Sequence, residues 1–388
     1  MVKFHLAGGS ILQVLEHKMV VIGWLGWVIM LPKLPAMIGL LMDHAEMTSF
    51  SAGWVVAIGT FSTATAGFLM SMRVDKRNIK RLCRVALVIA ILMDLISAFT
   101  ANMIIVIFLV RILWGLAMGV THASSISSIA HYENFKHGYG LYVGLQFIVS
   151  GLGLYLVPVY SDLIGVEGFF IAFVIMDLIA LYLTKFLQNK SEIIDKNSDT
   201  NSGIFVMLSV PALLAILGFT LFEAANTSQF SYIERFGVAS NLSEYQIGFA
   251  LLVGSMLGIP GGLSIFLVGE RFGLVKPLAF GILMSVSALV LLLNFNSYSI
   301  YFISSCMLGF SWAFCMPFIE SLLARIDRKG RVVAAGSSVS FFGSALGPGF
   351  AAIVVFNDQY RNSFLLSICL FLVTLIAFLS LKLKTGKD

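Results

Sequence analysis

Arg111-Ile-Leu-Trp-Gly-Leu-Ala-Met-Gly119 and Ser305-Cys-Met-Leu-Gly-Phe-Ser-Trp-Ala313 decide how this chain is read. Aligned, they place Gly115 on Gly309, an offset of half the 388-residue chain. The same offset carries Ser150-Gly-Leu-Gly153 onto Ser344-Ala-Leu-Gly347, Gly67 onto Gly261 and Arg77 onto Arg271. With one residue of slippage, Gly53-Trp54 matches Gly248-Phe249. Each pairing alone is weak. Their shared offset in an apolar chain indicates two related membrane halves, a common plan of secondary transporters.

Composition sets the same class. Apolar residues make up 59% of the chain and charged residues 12%, about half the charge of a typical soluble domain. A spanning helix needs about 20 largely apolar residues. Twelve such stretches lie between polar breaks, over 19–42, 50–72, 84–101, 103–125, 139–160, 168–187, 204–227, 245–268, 276–294, 299–323, 332–356 and 363–381. The expected fold is therefore an all-α membrane protein, with twelve transmembrane helices in two pseudo-symmetric six-helix bundles. The bundles are expected over 1–187 and 204–388, joined by a polar cytoplasmic linker over 188–203 that lets them rock against each other.

Lysine and arginine orient the chain. Of the 25, all but four fall in the terminal tails or near the loops that follow even-numbered spans. Lys33 and Arg111 lie inside spans, and Arg235 and Arg361 are assigned to loops on the other side. Both termini are expected to be cytoplasmic. The net charge of +5 then meets anionic lipid headgroups and calls for no nucleic-acid partner. The first 18 residues show no cleavable signal pattern. Four cysteines without paired loop spacing argue against disulfides and a zinc site.

Four local signatures make the chain resemble the major facilitator superfamily over nearly its whole length. Arg111 to Gly119 looks like that family's arginine-glycine-glycine pattern in its fourth helix. Gly67-Phe-Leu-Met-Ser-Met-Arg-Val-Asp-Lys-Arg-Asn-Ile-Lys-Arg81 keeps the charges of its second-to-third helix turn and lacks the glycine after the arginine. Gly269-Glu-Arg-Phe-Gly-Leu-Val-Lys276 is the closer match, in the other half. Leu31-Pro-Lys-Leu-Pro35 resembles a stretch common in its exporters. The fifth span has Gly153-Leu154 where antiporters of the family carry Gly-Pro, and the eleventh has Gly347-Pro348. The resemblance implies alternating access and a cytoplasmic gate built from Asp75, Arg77, Glu270, Arg271 and Glu320.

Ionisable groups inside a membrane are expensive and usually functional. Lys33, Asp94, Arg111, Asp177, Glu223 and Glu320 qualify by position. A carboxylate that holds a proton in one conformation and releases it in another couples proton flow to shape. Asp94 and Arg111 lie equally far from the Thr100–Asn102 turn and can meet, either as a fixed ion pair or as groups that exchange a proton or touch a substrate anion. Resemblance to proton-driven exporters makes Glu223, in the seventh span, the first candidate for proton binding. Asn226 and Gln229 beside it either serve substrate or end that helix. Lys33 either snorkels to the outer interface or partners Glu223 or an anionic solute. Arg271 or Lys276 is expected to latch Glu320 when the inner gate is closed. His122, Gln146, Trp27 and Trp312, with Trp24, Met30 and Phe222, are candidate cavity residues. His122-Ala-Ser-Ser125 lacks the orienting third group that a hydrolase needs.

The expected function is proton-coupled transport of a small organic solute, with export of an amphipathic compound preferred. Uptake of a small metabolite, an anionic one included, is the alternative, favoured by the fifth-span departure and by Lys33 and Arg111 as anion ligands. A passive channel and an intramembrane hydrolase are the readings of other classes. No cofactor beyond the proton gradient is expected, and the expected setting is a monomer in a bacterial inner membrane.

Overall fold

The computed structural model describes residues 33–71, 79–130, 135–186, 209–268, 271–326 and 331–385. Every element among them is helical: α1 (Lys33–His44), α2 (Ser49–Ser71), α3 (Ile79–Thr100), α4 (Ile104–Ala130), α5 (Phe135–Val159), α6 (Ser161–Leu183), α7 (Val210–Ala239), α8 (Glu244–Leu263), α9 (Val275–Asn294), α10 (Tyr298–Ile326), α11 (Arg331–Val354) and α12 (Arg361–Thr385). A single turn, Ile265–Val268, continues α8. Ten of these helices are long and apolar enough to cross a membrane. In lipid a helix satisfies its own backbone, which is why no other element is needed to span it. Large apolar side chains such as Phe99, Ile105, Leu163 and Phe266 stay exposed on the outside of the bundle, as contact with acyl chains requires.

Helix ends follow local sequence. Ser243 caps α8 in a reciprocal box: its hydroxyl accepts from the Gln246 N–H at 3.3 Å, and the Gln246 side chain accepts from the Ser243 N–H at 3.0 Å. Ser209 and Pro211 open α7. That helix runs twelve residues beyond the end expected from polarity, which corrects the assignment of Arg235 to a loop. Asn226 to Gln229 and Glu234-Arg235 are buried within α7 rather than marking its exit. The longer helix also places Glu223 near its middle, not toward one end.

The internal repeat becomes a matter of helix packing. α4 packs along α2 and α3, and α10 packs along α8 and α9. At the α2–α4 crossing, a Cβ on Gly115 would fall within contact distance of the Gly59 carbonyl oxygen. At the α8–α10 crossing, a Cβ on Gly309 would meet the Gly254 carbonyl oxygen in the same way. Glycine lets backbones approach where lipid offers no hydrophobic drive for association. The aligned glycines Gly115 and Gly309 therefore mark one crossing built twice.

The halves meet along three seams, α5 with α8, α2 with α11, and α1 with α7. Ser255 on α8 donates to the Phe147 carbonyl on α5 at 3.1 Å. Phe61 on α2 sits edge-on to Phe342 on α11, with ring centroids 5.5 Å apart. The linker expected over 188–203 lies outside the described residues.

Candidate functional site: a cavity between the halves

Parts of eight helices, α1, α2, α4, α5, α7, α8, α10 and α11, enclose a central cavity of about 470 Å³. Its wall is largely apolar, with Val55, Leu154, Phe219, Phe230, Leu251 and Leu308 among its members. Hydroxyl, amide and charged side chains are set into that apolar surface.

Glu223 is one of them. It lies in the middle of α7, is 7% exposed, and has one donor on each oxygen. The Trp312 indole N–H of α10 donates to Oε1 at 3.1 Å, and the Ser344 hydroxyl of α11 donates to Oε2 at 2.8 Å. Both donors are neutral, and no ion pair to Glu223 is formed among the described residues. Trp312 is itself held edge-on by Phe147 of α5, with centroids 5.8 Å apart. The carboxyl group thus links α7, α10 and α11 and, through Trp312, touches the first half. Glu320 lines the same cavity, and Arg271 is exposed; no ion pair joins them among the described residues.

Asp94 and Arg111 meet as the sequence predicts. Arg111 Nη2 lies 2.7 Å from Asp94 Oδ1 and 2.6 Å from the Ser97 hydroxyl. The Trp114 indole N–H donates to the other Asp94 oxygen at 3.0 Å. The guanidinium sits 4.9 Å from the ring centroids of both Trp114 and Phe170. Arg111 contributes to the cavity wall, yet it is only 2% exposed and Asp94 is fully buried. Asp177, on α6, is also fully buried.

The remaining candidates are divided. His122, Gln146, Asn226 and Trp312 all line the cavity. His122 packs edge-on to Phe341 at 5.2 Å, with neither ring nitrogen partnered among the described residues. Asn226 Nδ2 donates to the Phe222 carbonyl at 2.8 Å. Trp27, Asp75, Arg77 and Glu270 lie outside the described residues, as do the side chain of Lys33 and the residues Trp24 and Met30.

One charged cluster was not anticipated from sequence. At the end of the cavity bearing the α1–α2 and α7–α8 turns, Arg235 of α7 forms a two-pronged pair with Asp43 of α1, at 2.7 Å on each prong. Glu234 takes the other edge of the same guanidinium at 2.7 and 2.8 Å. Gly39 permits this approach, since a Cβ there would lie 2.8 Å from Glu234 Oε2. Beside it, the Tyr232 hydroxyl donates to the Ser49 carbonyl at 2.8 Å, and the Ser49 hydroxyl donates to the Val355 carbonyl at 3.3 Å. These ties lie beyond the cavity-lining residues Met37 and Ile233 and join α1 and α2 to α7 and to the end of α11 there. A bidentate arginine–carboxylate pair is among the stronger charged contacts, and here it joins the two halves. Asp43→Asn is expected to open this end, several-fold raising maleimide labelling of Leu251→Cys in a protein stripped of its own cysteines. Labelling unchanged by the substitution would show that the cluster does not hold the end shut.

A sequence model described as the Major Facilitator Superfamily matches residues 19–326. A crystal structure of the nucleoside transporter NupG, in a mutant form, is similar in fold, with a TM-score of 0.77 at 12% identity over 94% of this chain and 98% of that one. A bacterial homolog of the human lysosomal transporter Spinster, solved inward-facing and unoccupied, has a TM-score of 0.74 at 12% identity, over 95% and 96% of the two chains. Among curated proteins, none matches the chain by sequence.

Proposed function

The chain belongs to the major facilitator superfamily, and on that premise we propose that this multi-pass membrane transporter is proton-coupled and exports an amphipathic organic solute. Glu223 carries the reading. An ionised carboxylate is costly to keep in a low-dielectric wall without a cation, and the groups that hold this one are neutral. Binding a proton, or a cationic solute, removes that cost. The two forms differ by one charge at the point where α7, α10 and α11 join, so they favour different arrangements of the halves.

Charge in the cavity points to the class of solute. Glu223 and Glu320 are its carboxylates, and the one described cation in its wall, Arg111, is already paired with Asp94. Phe147, Phe230, Phe341 and Trp312 add aromatic surface, which attracts organic cations as well as apolar bodies. An amphipathic cation suits this wall, and an anionic metabolite does not. The alternative is proton-coupled uptake of a small metabolite, for which His122, Gln146 and Asn226 offer uncharged hydrogen-bonding groups. Kinship with transporters, rather than any geometry at His122, sets the hydrolase reading aside.

We extend the proposal to the setting: both termini in the cytoplasm of a bacterial cell, the protein in its inner membrane, and a monomer of two bundles, 1–187 and 204–388, with no cofactor but the proton gradient. The end tied by Asp43 and Arg235 then faces outward.

Proteoliposomes test the coupling. Vesicles with an acidic interior and inside-out protein are expected to accumulate ethidium, a permanent cation that a pH difference alone does not trap. Nigericin, which collapses the gradient, is expected to stop accumulation. Accumulation that ignores the gradient would rule out proton coupling.

A further inference from the structure

Gln229 on α7 and Ser305 on α10 are polar members of the cavity wall that the coupling scheme leaves without a role. They are 3% and 4% exposed, and neither Gln229 Oε1 nor Ser305 Oγ has a hydrogen-bond partner among the described residues. Burying such a group unpaired is costly compared with an apolar side chain of similar shape. Hydroxyls of α7 nearby avoid the problem: Ser231 donates to the Thr227 carbonyl at 2.6 Å, and Thr227 donates to the Glu223 carbonyl at 2.9 Å.

The two orphan groups share one depth. α7 and α10 run antiparallel, tied by the Tyr301 hydroxyl on the Ile233 carbonyl at 3.1 Å and by Trp312 on Glu223. Between those ties the register sets Ser305 against Gln229, and Leu308 against Asn226. Six residues separate Gln229 from Glu223, which is about 9 Å along the helix at 1.5 Å per residue. Phe230 and Leu308 supply apolar surface in the interval.

We propose that Gln229 and Ser305 form a second polar subsite, which takes a neutral hydrogen-bonding group of the solute, a hydroxyl or an N–H. The proposal rests on Glu223 receiving the cationic end of that solute. It narrows the substrate class to amphipathic amines with a hydrogen-bond donor roughly 9 Å from the amine. Such a solute satisfies both orphan groups, and one lacking the donor leaves them buried and unpaired, the situation in which polar sites discriminate most strongly.

Two measurements on the purified full-length protein test this. The first is thermal unfolding without solute. Gln229→Leu and Ser305→Ala are expected to leave the unfolding temperature unchanged or raise it, because an unsatisfied group is removed. A fall of several degrees in both would show that they are packing bonds and overturn the subsite. The second compares tyramine with phenethylamine, which differ only in a hydroxyl at the far end of the ring. The wild-type protein is expected to bind tyramine about tenfold more tightly, the size of one well-made hydrogen bond. Each substitution is expected to bring tyramine down to the phenethylamine level. Equal binding of the two amines by the wild type, or a preference that survives Gln229→Leu, overturns the subsite. Binding of neither amine overturns the cationic reading at Glu223 instead, and the unfolding comparison then decides the subsite alone.

Discussion

Glu223→Gln is expected to abolish solute accumulation driven by a pH gradient while leaving a folded protein that still exchanges solute across the membrane. The substitution keeps the shape of the side chain. Its amide oxygen can accept from the Trp312 indole N–H, now at 3.1 Å from Oε1, and its amide N–H can donate to the Ser344 hydroxyl, whose proton is free to rotate away. The junction of α7, α10 and α11 is thus retained, and what is lost is the ability to change charge. Uphill transport needs two protonation states that favour different conformations, because a ligand shifts an equilibrium only by its differential affinity for the two states. A permanently neutral group has none for the proton. Downhill exchange needs no change of charge at this residue, so it continues, at higher solute concentration because the cationic end has lost its carboxylate. The measurement is a pair of assays on one preparation, gradient-driven accumulation and solute exchange at equal pH. Accumulation at the wild-type rate in Glu223→Gln would place the proton elsewhere, with Glu320 the next carboxylate in the wall.

The architecture was legible because it rests on features that sequence records directly. Apolar length gives spans, and glycines at a constant offset give the α2–α4 and α8–α10 crossings, where Gly115 and Gly309 each meet a facing backbone. Equal distance from a short turn was enough to bring Asp94 to Arg111. Less of the site could be read. Polarity ends a span when it is counted along the chain, yet from Asn226 onward α7 turns its polar side chains into the protein interior, so its last twelve residues were taken for a loop. The Asp43–Arg235–Glu234 cluster was lost with it, since Arg235 was counted as a loop charge and the first span was ended at residue 42, one short of Asp43. Ser344 was visible only as an echo of Ser150. Its bond to Glu223 depends on how α11 is rotated against α7, which no periodicity in the sequence specifies.

Asp94→Asn is expected to be the most destabilising single change in the first half, and pairing it with a change at Arg111 to restore much of the loss. Removing one partner of a buried ion pair leaves an uncompensated charge, at a cost of about 3–5 kcal/mol. Here the stranded guanidinium would lie between Trp114 and Phe170 with only Ser97 and the Met93 carbonyl as neutral acceptors. Asp94→Leu combined with Arg111→Met fills the same space with apolar groups, an exchange that is often neutral or stabilising. Thermal unfolding of Asp94→Leu, Arg111→Met and the double variant gives the coupling between the sites directly. The double variant also separates two roles for the pair. Both groups are almost fully shielded, and the arginine already has its carboxylate, so the pair is expected to orient α3 against α4 rather than to handle protons. A double variant that folds as well as the wild type and keeps gradient-driven accumulation fits that role. If it folds equally well but no longer accumulates solute, Asp94 and Arg111 belong to the coupling path alongside Glu223.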